Sequence, residues 1–156
     1  KAEYLEEKSD SKRVMDIVRA SSSLPYVTKI TYVDGVPMLD GGIADSIPVE
    51  YAKSQGYERM VVILTRNKGY RKNEKQLPVP KVIYRKYPEL RKTLASRNAQ
   101  YNRTMEMIER LEEEGNLTVI RPVHPIEVDR MEKDTDKLRA LYQEGYELAE
   151  SFLASL

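Results

Sequence analysis

The stretch YVTKITYVDGVPMLDGGIADSIP, residues 26–48, decides how this chain is read. Two runs rich in β-branched and aromatic residues flank Asp34-Gly35, and that dipeptide between such runs is the strongest short-range signal for a two-residue hairpin turn. Pro37 has no N–H to give, so the second arm must place it where the ladder needs no donor. That arm ends on Asp40, followed by Gly41 and Gly42. An ionisable carboxylate where an apolar run stops is either a turn residue or a group held for chemistry. Two residues without side chains beside it allow unusual backbone angles and the close approach of another segment.

Working outward, Ser9 or Asp10 can cap a helix that carries Val14, Met15, Ile17 and Val18 and runs to about Arg19 or Ala20. Pro25 disfavours helix at Leu24 and ends it. Past the glycines, Asp45 or Ser46 can cap a short helix with Pro48 in its first turn, Glu50 favourable to the dipole, and Gly56 closing it. MVVIL, residues 60–64, is a continuous apolar run and reads as a strand buried on both faces, as in a parallel sheet. Helical stretches are expected over Val82–Tyr87, over Pro88–Leu94, and from about Arg97 to Glu114. The last carries Tyr101, Met105, Ile108 and Leu111 at helical spacing, with Gly115 as its stop. LTVIR, residues 117–121, is a further strand ended by Pro122. A final helix from about Thr135 to Leu153 carries Leu138, Leu141, Tyr142, Tyr146, Leu148, Phe152 and Leu153. The order predicts an α/β fold with a mainly parallel sheet of about four strands, hairpin included, flanked by helices. Four strands, two of them deeply apolar, read as part of a larger sheet. Its open edge should be covered by another copy or by strand exchange, or appear as an exposed apolar patch.

Composition narrows the chemistry. The chain has 156 residues, 40% apolar and 33% charged, with net charge +1. It has no cysteine and one histidine, His124. Thiolate catalysis, disulfides and thiolate metal sites are therefore excluded, and a mechanism needing two histidines has no second one. No metal site and no cofactor are expected. His124 sits in RPVHP, a proline-bounded loop, and reads as a solvated or structural imidazole. No apolar run approaches the roughly 18 residues that a membrane span needs. The charged opening KAEYLEEKSD shows no signal peptide, and its first residue, Lys rather than Met, reads as a processed or cut end. A cytoplasmic setting is expected. Charge is uneven: from Arg66 to Arg97 eleven Lys or Arg face only Glu74 and Glu89. That segment is mostly a solvated face on the bland reading. On the sharper one it meets anionic phospholipid or nucleic acid, with Arg71, Lys72 and Lys75 as the residues to test.

Residues 19–52, RASSSLPYVTKITYVDGVPMLDGGIADSIPVEYA, resemble the C-terminal active-site segment of the patatin-like phospholipases. Ala20-Ser21, Pro25, Asp40-Gly41-Gly42 and Pro48 match that family's pattern in order and spacing. Ser46 stands where the family usually has Asn. MVVILTR and EEEGNLTVIRP look like its bacterial branch. The resemblance implies a three-layer α/β fold and hydrolysis of lipid esters by a Ser–Asp dyad. In such a dyad Asp40 is the base, Gly41 and Gly42 form its loop, and no histidine intervenes. It also implies an acyl-ester substrate, peripheral contact with a membrane, and no nucleic-acid partner for the parent enzyme. The family's serine lies upstream in a G-x-S-x-G elbow. None of the seven glycines here is followed by Ser two positions on. Ser21, Ser22 and Ser23 suit helix-end or turn roles and lack the strand–turn–helix setting of a nucleophile. Residues 1–156 therefore read as the C-terminal half of a patatin-like domain that holds the base and lacks the nucleophile. The alternative is a non-catalytic module that binds anionic lipid or nucleic acid through residues 66–97.

Overall fold

The structure is a computed structural model and describes residues 1–74, 84–129 and 131–155. It divides into two compact units: residues 1–48 with 72–104, and residues 49–71 with 105–156.

The first unit is built around the hairpin. Helix α1, Ser11–Ser21, starts where the sequence places it, because the Asp10 carboxylate accepts from the amides of Lys12 and Arg13 and so satisfies two otherwise orphaned donors. Strands β1, Thr31–Val33, and β2, Val36–Met38, pair antiparallel with Val33 opposite Val36 and Tyr32 opposite Pro37. Asp34 and Gly35 have φ of 51° and 78°, the two left-handed residues that a turn matching the strand twist requires. Val33 and Val36 close the turn, so alternation makes Tyr32–Pro37 a non-hydrogen-bonded pair, where the proline costs no ladder bond. The first arm is shorter than the sequence suggests. Leu24 carbonyl accepts from the amides of Val27 and Thr28, and this turn takes up the residues before Lys29. Helix α1 packs on β1 and on the 3-10 turn Gly41–Ile43. Ala20, Val33, Ile43 and Leu94 are buried.

The second unit holds helix α2, Val49–Ser54, ended by Gly56 at φ 87°. Strands β3, Met60–Ile63, and β4, Leu117–Ile120, pair in parallel with Met60 opposite Leu117. Helix α3, Pro88–Glu113, contributes residues 88–104 to the first unit and 105–113 to the second. Gly115, at φ 74°, stops it, as the Asn116 amide turns back to the Leu111 carbonyl. Met105 and Ile108 are fully buried. Helix α4, Thr135–Ala154, is capped by the Asp134 carboxylate and contacts β4.

Four expectations need correction. The four strands form two separate two-stranded sheets, one antiparallel and one parallel, not a single mainly parallel sheet. Strand β3 is not buried on both faces: Val62 is 8% exposed, but Val61 is 51% and Ile63 74% exposed, and Ile63 borders an open cavity shared with Leu141 and Leu148 of the last helix. The two stretches expected over 88–94 and 97–114 are one helix, since Ala95 and Ser96 between them contain no breaker. Of the stretch expected over Val82–Tyr87, Val82 and Ile83 lie outside the described residues, and Tyr84–Lys86 form a turn.

Candidate active site

Asp40 sits two residues past β2 and heads the 3-10 turn, all within the first unit. Its amide donates to the Ser23 carbonyl at 2.8 Å, and its Oδ1 accepts from the Gly42 amide at 2.7 Å. The main chain thus fixes both ends of the residue. Asp40 is half-buried, and among the described residues no cation is paired with it. It lines a cavity of about 190 Å³ whose other walls include Lys1, Ile30, Leu39, Ile43, Leu90 and Thr93. An anchored carboxylate on the wall of a mostly apolar recess can take a proton from a hydroxyl brought within hydrogen-bond reach.

The two glycines differ in purpose. Neither has a positive φ, so unusual backbone angles are not why they are there. A Cβ on Gly42 would lie 3.0 Å from Asp40 Oδ1, while one on Gly41 would find only Ser21 Oγ, at an ordinary 3.6 Å. Gly42 is needed for space beside the carboxylate.

Helix α3 adds residues that sequence reading did not find. Arg97 Nε donates to the Gly42 carbonyl at 3.0 Å, and Gln100 Nε2 donates to the Ala44 carbonyl. Ser46 Oγ also donates to the Gly42 carbonyl, at 2.8 Å, which is the work done here by the residue at the family's usual Asn position. Arg97 and Gln100 lie more than fifty residues from the loop they hold and carry no local signal in the sequence. Ser22 Oγ and Ser23 Oγ donate to the carbonyls of Val18 and Arg19 at the end of α1, the helix-end roles expected of them.

The residues expected to bind anions have protein partners. Arg71 makes a two-pronged pair with Glu109, its Nη2 2.6 Å from Oε2. That hydrogen bond, with a smaller contribution from the Gly69 amide, holds the Glu109 carboxyl below its ordinary range. Lys72 Nζ lies 3.8 Å from the centre of the Tyr101 ring, and the Lys72 main chain is bracketed by Asn102. Lys75 lies outside the described residues. Among the described residues no His, Cys, Asp and Glu group has a metal-binding arrangement.

Comparison with known proteins bears on the segment that contains Asp40. Residues 2–53 match the patatin-like phospholipase family. The resemblance carried by Ala20-Ser21, Pro25 and Asp40-Gly41-Gly42 is thereby shown for this patatin-like segment, which relates it to lipid hydrolases. Residues 87–156 match a domain of unknown function (DUF6363). The Escherichia coli (strain K12) protein called "Uncharacterized protein YjjU" is 44% identical over 52 residues, which is 33% of this chain and 15% of that protein. The chain thus matches only a small part of the curated relative's length. No helix among the described residues is long and apolar enough to cross a membrane.

Proposed function

We propose that this chain supplies the general base, Asp40, of a patatin-like serine acyl hydrolase whose nucleophile lies on a segment outside residues 1–156. The observation that carries the reading is the placement of the carboxylate. Its Oδ1 is held by the Gly42 amide, no described cation forms an ion pair with it, and it lines a mostly apolar recess that Lys1 also borders. A carboxylate tied up by arginine would be a poor base, because a nearby positive charge lowers its affinity for a proton.

In this mechanism the hydroxyl of an incoming serine donates to the Asp40 carboxylate. The proton moves to Asp40 as the serine oxygen attacks the ester carbonyl, and returns to the leaving alkoxide as the acyl-enzyme forms. Water, giving a proton to the same carboxylate, then attacks the acyl carbon; the bond to the serine oxygen breaks, that oxygen takes the proton back from Asp40, and the acid leaves. The matched family and the absence of a G-x-S-x-G stretch here support assigning base and nucleophile to different parts of a longer polypeptide. On this reading the isolated chain does not turn over esters.

The test is Asp40→Asn in the complete protein, with a p-nitrophenyl ester as substrate. Asparagine keeps an oxygen for the Gly42 amide and cannot accept the proton. Hydrolysis is expected to fall by about 10²–10⁴-fold with the circular dichroism spectrum unchanged. Hydrolysis at the wild-type rate removes Asp40 from the mechanism.

A further inference from the structure

We propose that the two turns at Leu24–Thr28 and Tyr84–Tyr87 form a surface that docks on anionic phospholipid bilayer. Both turns belong to the first unit and are joined through two tyrosines. The Tyr26 and Tyr84 rings lie 5.5 Å apart, and the Tyr26 amide donates to Tyr84 Oη at 2.9 Å. Both tyrosines hold positive φ, 68° and 54°, a conformation bulky side chains rarely take. The arrangement keeps apolar groups outward: Val27 is 77%, Tyr26 56% and Leu24 41% exposed. Lys29, Arg85 and Lys86 are exposed alongside them, and residues 24–30 and 84–87 contain no acid.

Single exposed apolar residues are ordinary. What is not ordinary is Leu24, Tyr26 and Val27 exposed together, a second tyrosine against Tyr26, and three cations on or next to two joined turns. Interfacial segments have this composition: aliphatic tips enter the acyl boundary, tyrosines sit at headgroup depth, and cations meet anionic lipid. A nucleic acid would use the cations and tyrosines but leave Val27 and Leu24 in water. Ile30 follows the first turn, Tyr87 closes the second, and both line the Asp40 cavity. If the Proposed function holds, the surface brings that cavity to the lipid that supplies its substrate. The docking itself does not depend on catalysis.

The experiment is co-sedimentation of the full chain with vesicles of equal parts phosphatidylcholine and phosphatidylglycerol, against vesicles of phosphatidylcholine alone. Binding is expected to the first only, weakening as salt rises. Replacing Arg85 and Lys86 together by Gln should weaken it by about thirty-fold, from the contribution of a cation near an anionic surface. Val27→Ser should weaken it by about tenfold. Both sites are exposed, and unchanged circular dichroism shows that the fold survives. The proposal is overturned if wild type ignores phosphatidylglycerol, if both variants bind as wild type does, or if plain phosphatidylcholine binds equally. It is also overturned if a single-stranded RNA oligonucleotide binds more tightly than vesicles in a Tyr26-dependent way. Asp40→Asn separates this idea from the catalytic one: it should remove hydrolysis in the complete protein and keep vesicle binding.

Discussion

At the scale of the residue, the site turns on which carboxylate oxygen of Asp40 remains available. Oδ1 is taken by the Gly42 amide, and no described group donates to Oδ2, so Oδ2 is the oxygen that the proposed mechanism would use as proton acceptor. Its position depends on the empty space at Gly42. Gly42→Ala would set a methyl 3.0 Å from Oδ1, and the carboxylate must yield by a few tenths of an ångström. In the complete protein we expect Gly42→Ala to lower ester hydrolysis by about tenfold or more. Gly41→Ala, which meets only Ser21 Oγ at ordinary contact distance, should stay near wild type. Comparing kcat for the two variants checks this, and equal losses would show that the loop needs glycine for another reason. The sequence made Asp40 legible because a carboxylate at the end of an apolar arm, followed by two glycines, is locally unusual. It could not reveal the different roles of the two glycines, nor Arg97 and Gln100, because those depend on what lies across space.

At the scale of the element, helix α1 is tied to the hairpin by one guanidinium. Arg13 Nη1 is 2.9 Å from Glu7 Oε2, and its Nη2 is 2.8 Å from Asp34 Oδ2 in the turn. Amide donors from Ser9 and Asp10, then Arg13, lower the Glu7 carboxyl to about 2, and Arg13 lowers that of Asp34. Both carboxyls hold protons more weakly in the folded chain than in the unfolded one. Their contribution is therefore complete above the ordinary carboxyl range and is lost as pH falls toward the folded values. Thermal unfolding followed from neutral pH to about pH 2 should show wild-type stability falling below about pH 4.5. Glu7→Gln should be less stable at neutral pH and fall less steeply. Parallel curves would mean that Glu7 does not contribute through its charge. Elements of this kind were readable in advance because their signals are local: Asp10 caps α1, Asp34-Gly35 turns the hairpin, Gly115 stops α3. The pairing of strands was not, since which strand lies beside MVVIL is decided by partners far along the chain.

At the scale of the whole molecule, the second unit leaves apolar surface without cover. A two-stranded parallel sheet is unusual alone, because parallel sheets are ordinarily buried on both faces. Val61 and Ile63 project from β3 at 51% and 74% exposure, and on α4 Tyr142 and Leu153 are 68% and 65% exposed. The continuous apolar run in β3 encodes burial that the described residues do not provide. We expect the isolated chain to associate with itself as concentration rises, read by analytical ultracentrifugation. Ile63→Lys, with a charge on the exposed side of the strand, should shift it toward monomer. A monomer at all concentrations would show that this face is tolerated in water. If the face instead receives the rest of a longer polypeptide, adding that polypeptide should suppress self-association.

The Gly42 carbonyl has two donors, Ser46 Oγ from the same loop and Arg97 Nε from α3. Such redundancy has a consequence for substitution at position 46. While one donor holds, the other can be exchanged for a different chemistry in a single mutational step, and the loop is never released in between. Exchanging the hydroxyl at position 46 for an amide therefore leaves the Gly42 carbonyl with the Arg97 donor throughout.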